Sequence, residues 1–358
     1  MARYINRKYI DRGLFSKVYA AQDSLGQYSS QTVALKRVVF GSQRPPHNVH
    51  QELAIWQSIQ SHPNIISLLD TFEEGDDEDS DDGFNDAFSD RYIVFVMPLL
   101  PYNLYQVLDA QASVKRAFPT LATSTETPLC CSNKQNKLPL DDARIVTKGL
   151  SSALAFLHSQ GIIHRDIKPE NVLFQTLQSN VNTGVLLNPV LIDFGISYSV
   201  LLPSQSNEEI ETPSSKITDV GTTIYRSPEL LFGIKDYGAE IDMWSLGVLV
   251  SLLYSSDCQE VFAKAQTRDC HWSDLGLLSE IIEVLGTPTL ANWPEGGTVE
   301  SFRNMKFVDC KGYNCKDMAP RAPKIVIQEI VPRLLCWSKS KRLTAAMLLN
   351  HPYYQNKN

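Results

Sequence analysis

A chain of 358 residues that is 43% hydrophobic is long enough to bury one large core or two modest ones. Its net charge of −7 is local, because residues 73–90 hold ten carboxylates and no base, and a single acidic segment does not describe the whole surface. Seven cysteines (130, 131, 258, 270, 310, 315 and 336) without CxxC spacing argue against a disulfide scaffold or zinc module, the longest apolar runs are too short to cross a bilayer, and no basic stripe with interleaved aromatics points to nucleic acid.

The chain opens on MARYINRKYI, which has no apolar signal segment, so the expected location is the cytoplasm or nucleus. Residues 5–40 run in short alternating stretches, broken by SLGQYSSQ, that predict three antiparallel strands. NVHQELAIWQSI spaces Val49, Leu53, Ile55, Trp56 and Ile59 at helical intervals and stops at HPN. IISLLDTFEE and RYIVFVMPL complete a sheet of about five strands, and the acidic stretch 73–90 reads as a solvated insertion between them. After a connector at 98–103 the composition turns helical: NLYQVLDAQA, a Ser/Thr/Lys/Asn-rich insertion over about 110–137, then DDARIVTKGLSSALAFLHSQG, amphipathic with an acidic start and a glycine stop. AEIDMWSLGVLVSLLY, SDLGLLSEIIEVLG and IVIQEIVPRLLCW each carry a helical period. The prediction is an α+β architecture without internal repeats, with a small β-rich lobe (1–97) and a larger helical lobe (104–358).

The eight residues HRDIKPEN (164–171) crowd two acids, three bases and an amide between two short strand-like stretches. Moving a phosphoryl group needs an acceptor for the nucleophile's proton, a cation against the γ-phosphate and oxygen ligands for Mg²⁺, and this loop holds all three. With DFG at 193–195 and VALK at 33–36, it resembles the eukaryotic protein kinases and implies their bilobal fold as a single domain over 1–358. The resemblance implies ATP and Mg²⁺ as cofactors. Asp166 is the expected base toward the substrate hydroxyl, Lys168 the cation on the γ-phosphate, and Asn171 and Asp193 the metal ligands. Lys36 is expected on the α- and β-phosphates and paired with Glu52, with Thr222 bridging Asp166 and Lys168. Glu229 of SPE is expected on Arg342, and Asp242 on the backbone of the catalytic loop. A lysine two positions after Asp166 resembles the Ser/Thr kinases and not the tyrosine kinases.

An adenine ring needs a backbone carbonyl and, two residues on, a backbone N–H, and proline can supply only the first. Counting back from Leu104 makes Met97 the gatekeeper, Pro98 the acceptor and Leu100 the donor. Ile10, Gly13, Val18, Ala34 and Leu173 complete the expected nucleotide pocket. The phosphate loop departs from the family pattern, since DRGLFSKV keeps Gly13 and Val18 but has Asp11 and Ser16 in place of the outer glycines. Ile217 stands where the family's activating threonine falls, which leaves Thr212 and Thr218 as neighbours whose phosphate Arg165 could receive.

IIEVLGTPTLANWPE and IYRSPELLFGIKDYGAEIDMWSLG resemble the cyclin-dependent and MAP kinase group, whereas PPHNVHQELAI lacks the cyclin-binding pattern. These features together resemble the monomeric CDK-activating kinases of fungi. That resemblance implies a cyclin-dependent kinase as protein substrate and a monomer without a cyclin; an orphan kinase of the same group and a catalytically idle scaffold are the alternatives.

Overall fold

The computed structural model describes residues 3–26, 32–40, 43–75, 91–114, 134–180, 182–202, 211–263 and 273–355. Alternating stretches of the first lobe form β1 (Tyr4–Arg12), β2 (Ser16–Asp23), β3 (Thr32–Val39), β4 (Asp70–Glu74) and β5 (Tyr92–Pro98), hydrogen-bonded in the order β1-β2-β3-β5-β4. The central strands β3 and β5 are buried on both faces, with Val33, Leu35, Val94 and Val96 on one and Ala34, Val38, Phe95 and Met97 on the other. Helix α1 (Val49–Ser58) crosses this sheet; Asn48 caps it by accepting from Gln51 N at 3.0 Å, and Ile55 and Trp56 carry its apolar side into the core.

The acidic insertion begins later than its composition suggests. Glu73 and Glu74 lie within β4, where Arg91 pairs with Glu73 while Arg7 and Arg37 reach Glu74 at 2.7 and 3.2 Å. Cationic neighbours from β1, β3 and the residue just before β5 accompany two of the ten acids as strand residues; residues 76–90 lie outside the described residues. The second expected insertion is likewise trimmed. Helix α2 (Leu104–Ala110), which follows the two-residue strand β6 (Tyr102–Asn103), runs to Ala110, and β7 (Ser113–Val114) pairs with β8 (Lys134–Gln135) at its base, with 115–133 outside the described residues.

In the second lobe α3 (Leu140–Ser159) ends at Gly161, whose φ of +70° is the left-handed turn that lets its N–H reach His158 O at 3.1 Å. The chain then forms β9 (Ile162–Ile163), the catalytic loop, β10 (Val172–Phe174), β11 (Val190–Leu191), β12 (Tyr198–Ser199), the short α4 (Pro228–Leu231) and α5 (Glu240–Leu253). Every residue of α5 from Ile241 to Leu253 is buried, as expected of a helix apolar all round. Helix α6 (Asp274–Leu285) follows. IVIQEIVPRLLCW is helical over 325–334 but not α-helical throughout. Residues Val326–Ile330 take a π-helical turn and Val331–Leu334 a short α-helix, because Pro332 has no N–H to continue the ladder. The lobes meet where Ile66 N donates to Leu191 O and Leu191 N to Asn64 O, which fixes the strand leading into DFG.

Candidate active site

Strand β3 presents Lys36 to the cleft between the lobes, and α1 presents Glu52. Lys36 Nζ donates to Glu52 Oε1 at 2.6 Å and to Asp193 Oδ1 at 2.7 Å, so one ammonium joins the sheet, the helix and the DFG turn. Burial alone would lower the Lys36 pKa, but Asp193 and Glu52 together raise it above its ordinary value and keep it charged. Burial would likewise raise Asp193, which Lys36 and the Gly195 N–H instead hold well below the carboxylate range. Asp193 adopts φ +70°, a strained value for a carboxylic residue, and Phe194 behind it is fully enclosed against Trp56 of α1 and His164. Strain of this kind persists only where the surroundings fix it, and here a buried ring and an ion pair do so.

The catalytic loop is fixed from below by α5. Asp242, fully enclosed, accepts from His164 N at 2.9 Å and Arg165 N at 2.8 Å, while the His158 ring lies 2.9 Å from the same carboxylate. These bonds hold Arg165 at φ +72° and turn Asp166 toward the cleft. Burial would raise the Asp242 pKa, yet the His158 ring and the donors around it bring it below the ordinary value. A carboxylate depressed in the folded state contributes stability above its unfolded pKa of about 3.9 and loses that contribution as pH falls through the folded value. The Asp242→Asn variant is therefore expected to melt at lower temperature than the parent at pH 7, with the gap narrowing below about pH 4. A gap that stays constant in melting curves between pH 3 and 7 would remove Asp242 from the acid response.

Asp166, Lys168, Asn171 and Thr222 form one closed network. Thr222 Oγ1 donates to Asp166 Oδ1 at 2.8 Å and accepts from Lys168 Nζ at 2.8 Å, and Lys168 pairs with Asp166 Oδ2 at 2.7 Å. Asn171 Nδ2 donates to Asp166 O and Oδ2, which leaves the amide oxygen as its acceptor. That oxygen and the Asp193 carboxylate are hard donors of the kind Mg²⁺ takes alongside phosphate oxygens, so the residues present fit the metal. Among the described residues no group of three or more His, Cys, Asp or Glu side chains forms a metal cage.

The expected nucleotide pocket is distributed over both lobes. Ala34 faces Met97 across β3 and β5, both buried, and Val33 pairs with Pro98. Val18 pairs with Lys36 and is half-buried, as are Pro98, Leu100 and Leu173, while Ile10 lies exposed on β1. The phosphate loop is closed by Gly13 N donating to Ser16 O at 2.8 Å, and a Cβ on Gly13 would come 2.8 Å from Ser16 Oγ. Asp11 is exposed and accepts from Arg12 N at 2.8 Å.

Several contributors were not evident from the motifs. Phe15 at the loop tip stacks edge-on against His47, ring centroids 4.9 Å apart, and burial lowers the pKa of that imidazole. Gln51, beside Glu52, donates to Leu202 O at 2.8 Å and ties α1 to the activation segment. Arg165, expected to receive a phosphate from Thr212 or Thr218, is already held by both oxygens of Glu211 at 2.7 and 3.0 Å. The absence of a threonine at position 217 was the only signal, and it did not say which side chain takes that place.

A family model of the protein kinase domain matches residues 4–354. The chain belongs to the protein kinase family. The kinase is 28% identical to serine/threonine-protein kinase CAK1 of Saccharomyces cerevisiae over 330 residues, covering 86% of this chain and 83% of that one. It is 27% identical to serine/threonine-protein kinase csk1 of Schizosaccharomyces pombe, covering 92% and 88% respectively. It is also 27% identical to serine/threonine-protein kinase MAK of Mus musculus, where 99% of this chain covers 46% of the relative, so the kinase spans about half that protein's length. It is an ATP-dependent protein Ser/Thr kinase of the cyclin-dependent and MAP kinase group. No helix among its described residues is long and apolar enough to cross a membrane.

Proposed function

We propose that this kinase transfers the γ-phosphoryl group of ATP to the activation-loop threonine of a cyclin-dependent kinase, acting as a monomer without a cyclin. The observation that carries the reading is the Lys36–Glu52 pair at 2.6 Å, on a helix held by bonds from within the chain. Glu52 is kept inside by its own neighbours: Asn48 caps the helix, Gln43 accepts from Val49 N, Gln51 reaches the activation segment, and Trp56 Nε1 donates to Ile66 O. A helix anchored at both ends needs no partner to push it inward.

In this reading Asp166 orients the acceptor hydroxyl and takes its proton, while Lys168 and Lys36 offset phosphate charge. Asn171 and Asp193 would hold Mg²⁺, which when bound neutralises charge on the phosphate oxygens. Pro98 O and Leu100 N would hold the adenine edge between Ala34 and Val18 on one side and Leu173 on the other, with Ile10 and Gly13 at the rim. Similarity to the fungal CDK-activating kinases supplies the acceptor class.

Recombinant kinase incubated alone with ATP, Mg²⁺ and an unphosphorylated cyclin-dependent kinase is expected to label that protein's activation-loop threonine. Labelling of a generic basic protein but not of the cyclin-dependent kinase would remove the acceptor and leave the chemistry. Labelling that appears only after a cyclin is added would remove the self-seated helix, and no transfer to either protein would favour a scaffold.

A further inference from the structure

Between β12 and the activation segment lies an enclosed cluster of two cations and two aromatic rings. Arg165, its side chain 1% exposed, lies over Tyr198 and Tyr237 at 4.9 and 5.4 Å from their centroids. Lys216, also buried, lies over the same two rings at 5.4 and 5.2 Å. Two like charges sharing one low-dielectric wall repel, and the Lys216 pKa is lowered first by burial and then by Arg165. Such a cluster requires an anion.

Glu211 provides it. Both carboxylate oxygens grip the Arg165 guanidinium side by side, the strongest geometry for that pair, and Oε1 also accepts from Ile217 N at 2.8 Å. The carboxylate thereby joins the catalytic loop to the stretch that leads to Thr222. Downstream, Arg226 holds Thr218 O at 3.0 Å, and Gly221, at φ +79°, passes so close to Arg165 that a Cβ would lie 3.1 Å from its carbonyl oxygen. The next residue, Thr222, bridges Asp166 and Lys168.

We propose that Glu211 is a positioning residue, an encoded anion that locks the activation segment onto Arg165 and so sets Thr222 and Asp166 without any phosphorylated side chain. The inference rests on the chain being a working kinase, as read above, and not on which protein it phosphorylates.

The test measures transfer to a generic basic protein beside the cyclin-dependent kinase, so that a wrong acceptor and a wrong role for Glu211 give different results. Wild-type kinase treated with a broad-specificity phosphatase, which is then removed, should keep its rate, as should Thr212→Ala and Thr218→Ala. Glu211→Gln should lose about 10- to 100-fold in kcat, the scale of one charge-assisted contact, with the KM for ATP within about twofold of the parent. Glu211→Asp should recover part of the loss. Inorganic phosphate added to Glu211→Ala should raise kcat with saturation and leave the wild type unchanged. A wild type silenced by phosphatase overturns the proposal, even if no Glu211 variant folds. So does a Glu211→Gln enzyme with the parent's kcat, or one that loses ATP affinity and kcat equally.

Discussion

The Asp166→Asn variant is expected to lose phosphoryl transfer by about 10² to 10⁴-fold, the range for removing a positioned general base. The loss should be larger than volume alone suggests. In the parent, Asp166 Oδ2 accepts from both Lys168 Nζ and Asn171 Nδ2, while Oδ1 accepts from Thr222. An amide at 166 has only one accepting oxygen, so either its NH₂ group faces those two donors or it faces the threonine. Turned toward Thr222, the NH₂ group keeps the bonds from Lys168 and Asn171 but reverses the one to the hydroxyl, so the basicity is lost together with the threonine's acceptor. Asp166 and Lys168 are only 12% and 21% exposed, so weakening their bonds should cost about 1–3 kcal/mol of stability. Single-turnover transfer from γ-labelled ATP, with nucleotide affinity and melting temperature measured on the same samples, separates these effects. A variant within tenfold of the parent rate would remove Asp166 as the base.

The second large effect is structural. Glu229 and Arg342 are both fully enclosed, bonded through Arg342 Nη2 at 2.9 Å, and the same guanidinium donates to Glu240 O and Cys336 O and lies over Trp244. Glu229→Ala leaves that guanidinium charged, enclosed and without its bonded carboxylate, and the expected cost is about 3–5 kcal/mol of folding stability. The paired replacement Glu229→Met with Arg342→Met removes both charges and should cost much less, because a buried ion pair gives back in desolvation most of what it gains in attraction. Urea unfolding of the two variants beside the parent decides it. Equal destabilisation by both would mean that packing around the pair, not the stranded charge, is what matters.

Short motifs make much of the site's layout legible in the sequence. Asp166, Lys168 and Asn171 lie within one loop, and their spacing is a local property of the chain. Lys36, Glu52 and Asp193 come from three distant segments, but each sits in its own short signature, so their meeting in one cleft could be anticipated. What was not legible depends on contacts between segments with no signature. The strand character of Glu73 and Glu74 comes from Arg7, Arg37 and Arg91, which only the folded sheet places beside them. Glu211 reaches Arg165 across 46 residues from a Ser/Thr-rich stretch, where composition drew attention to hydroxyl groups and away from the acid beside them. Pro332 is visible in the sequence, but that the helix carries on through it by way of a π turn is decided by packing.

The Arg165–Glu211 pair also sets where such an enzyme stands among its regulators. A kinase whose locking anion is installed by a second kinase can be switched off by any phosphatase that removes it. A carboxylate made at the ribosome offers no bond to hydrolyse, so the enzyme is competent from the moment it folds. Its output then follows how much of it is synthesised, how fast it is degraded and when its acceptor becomes accessible.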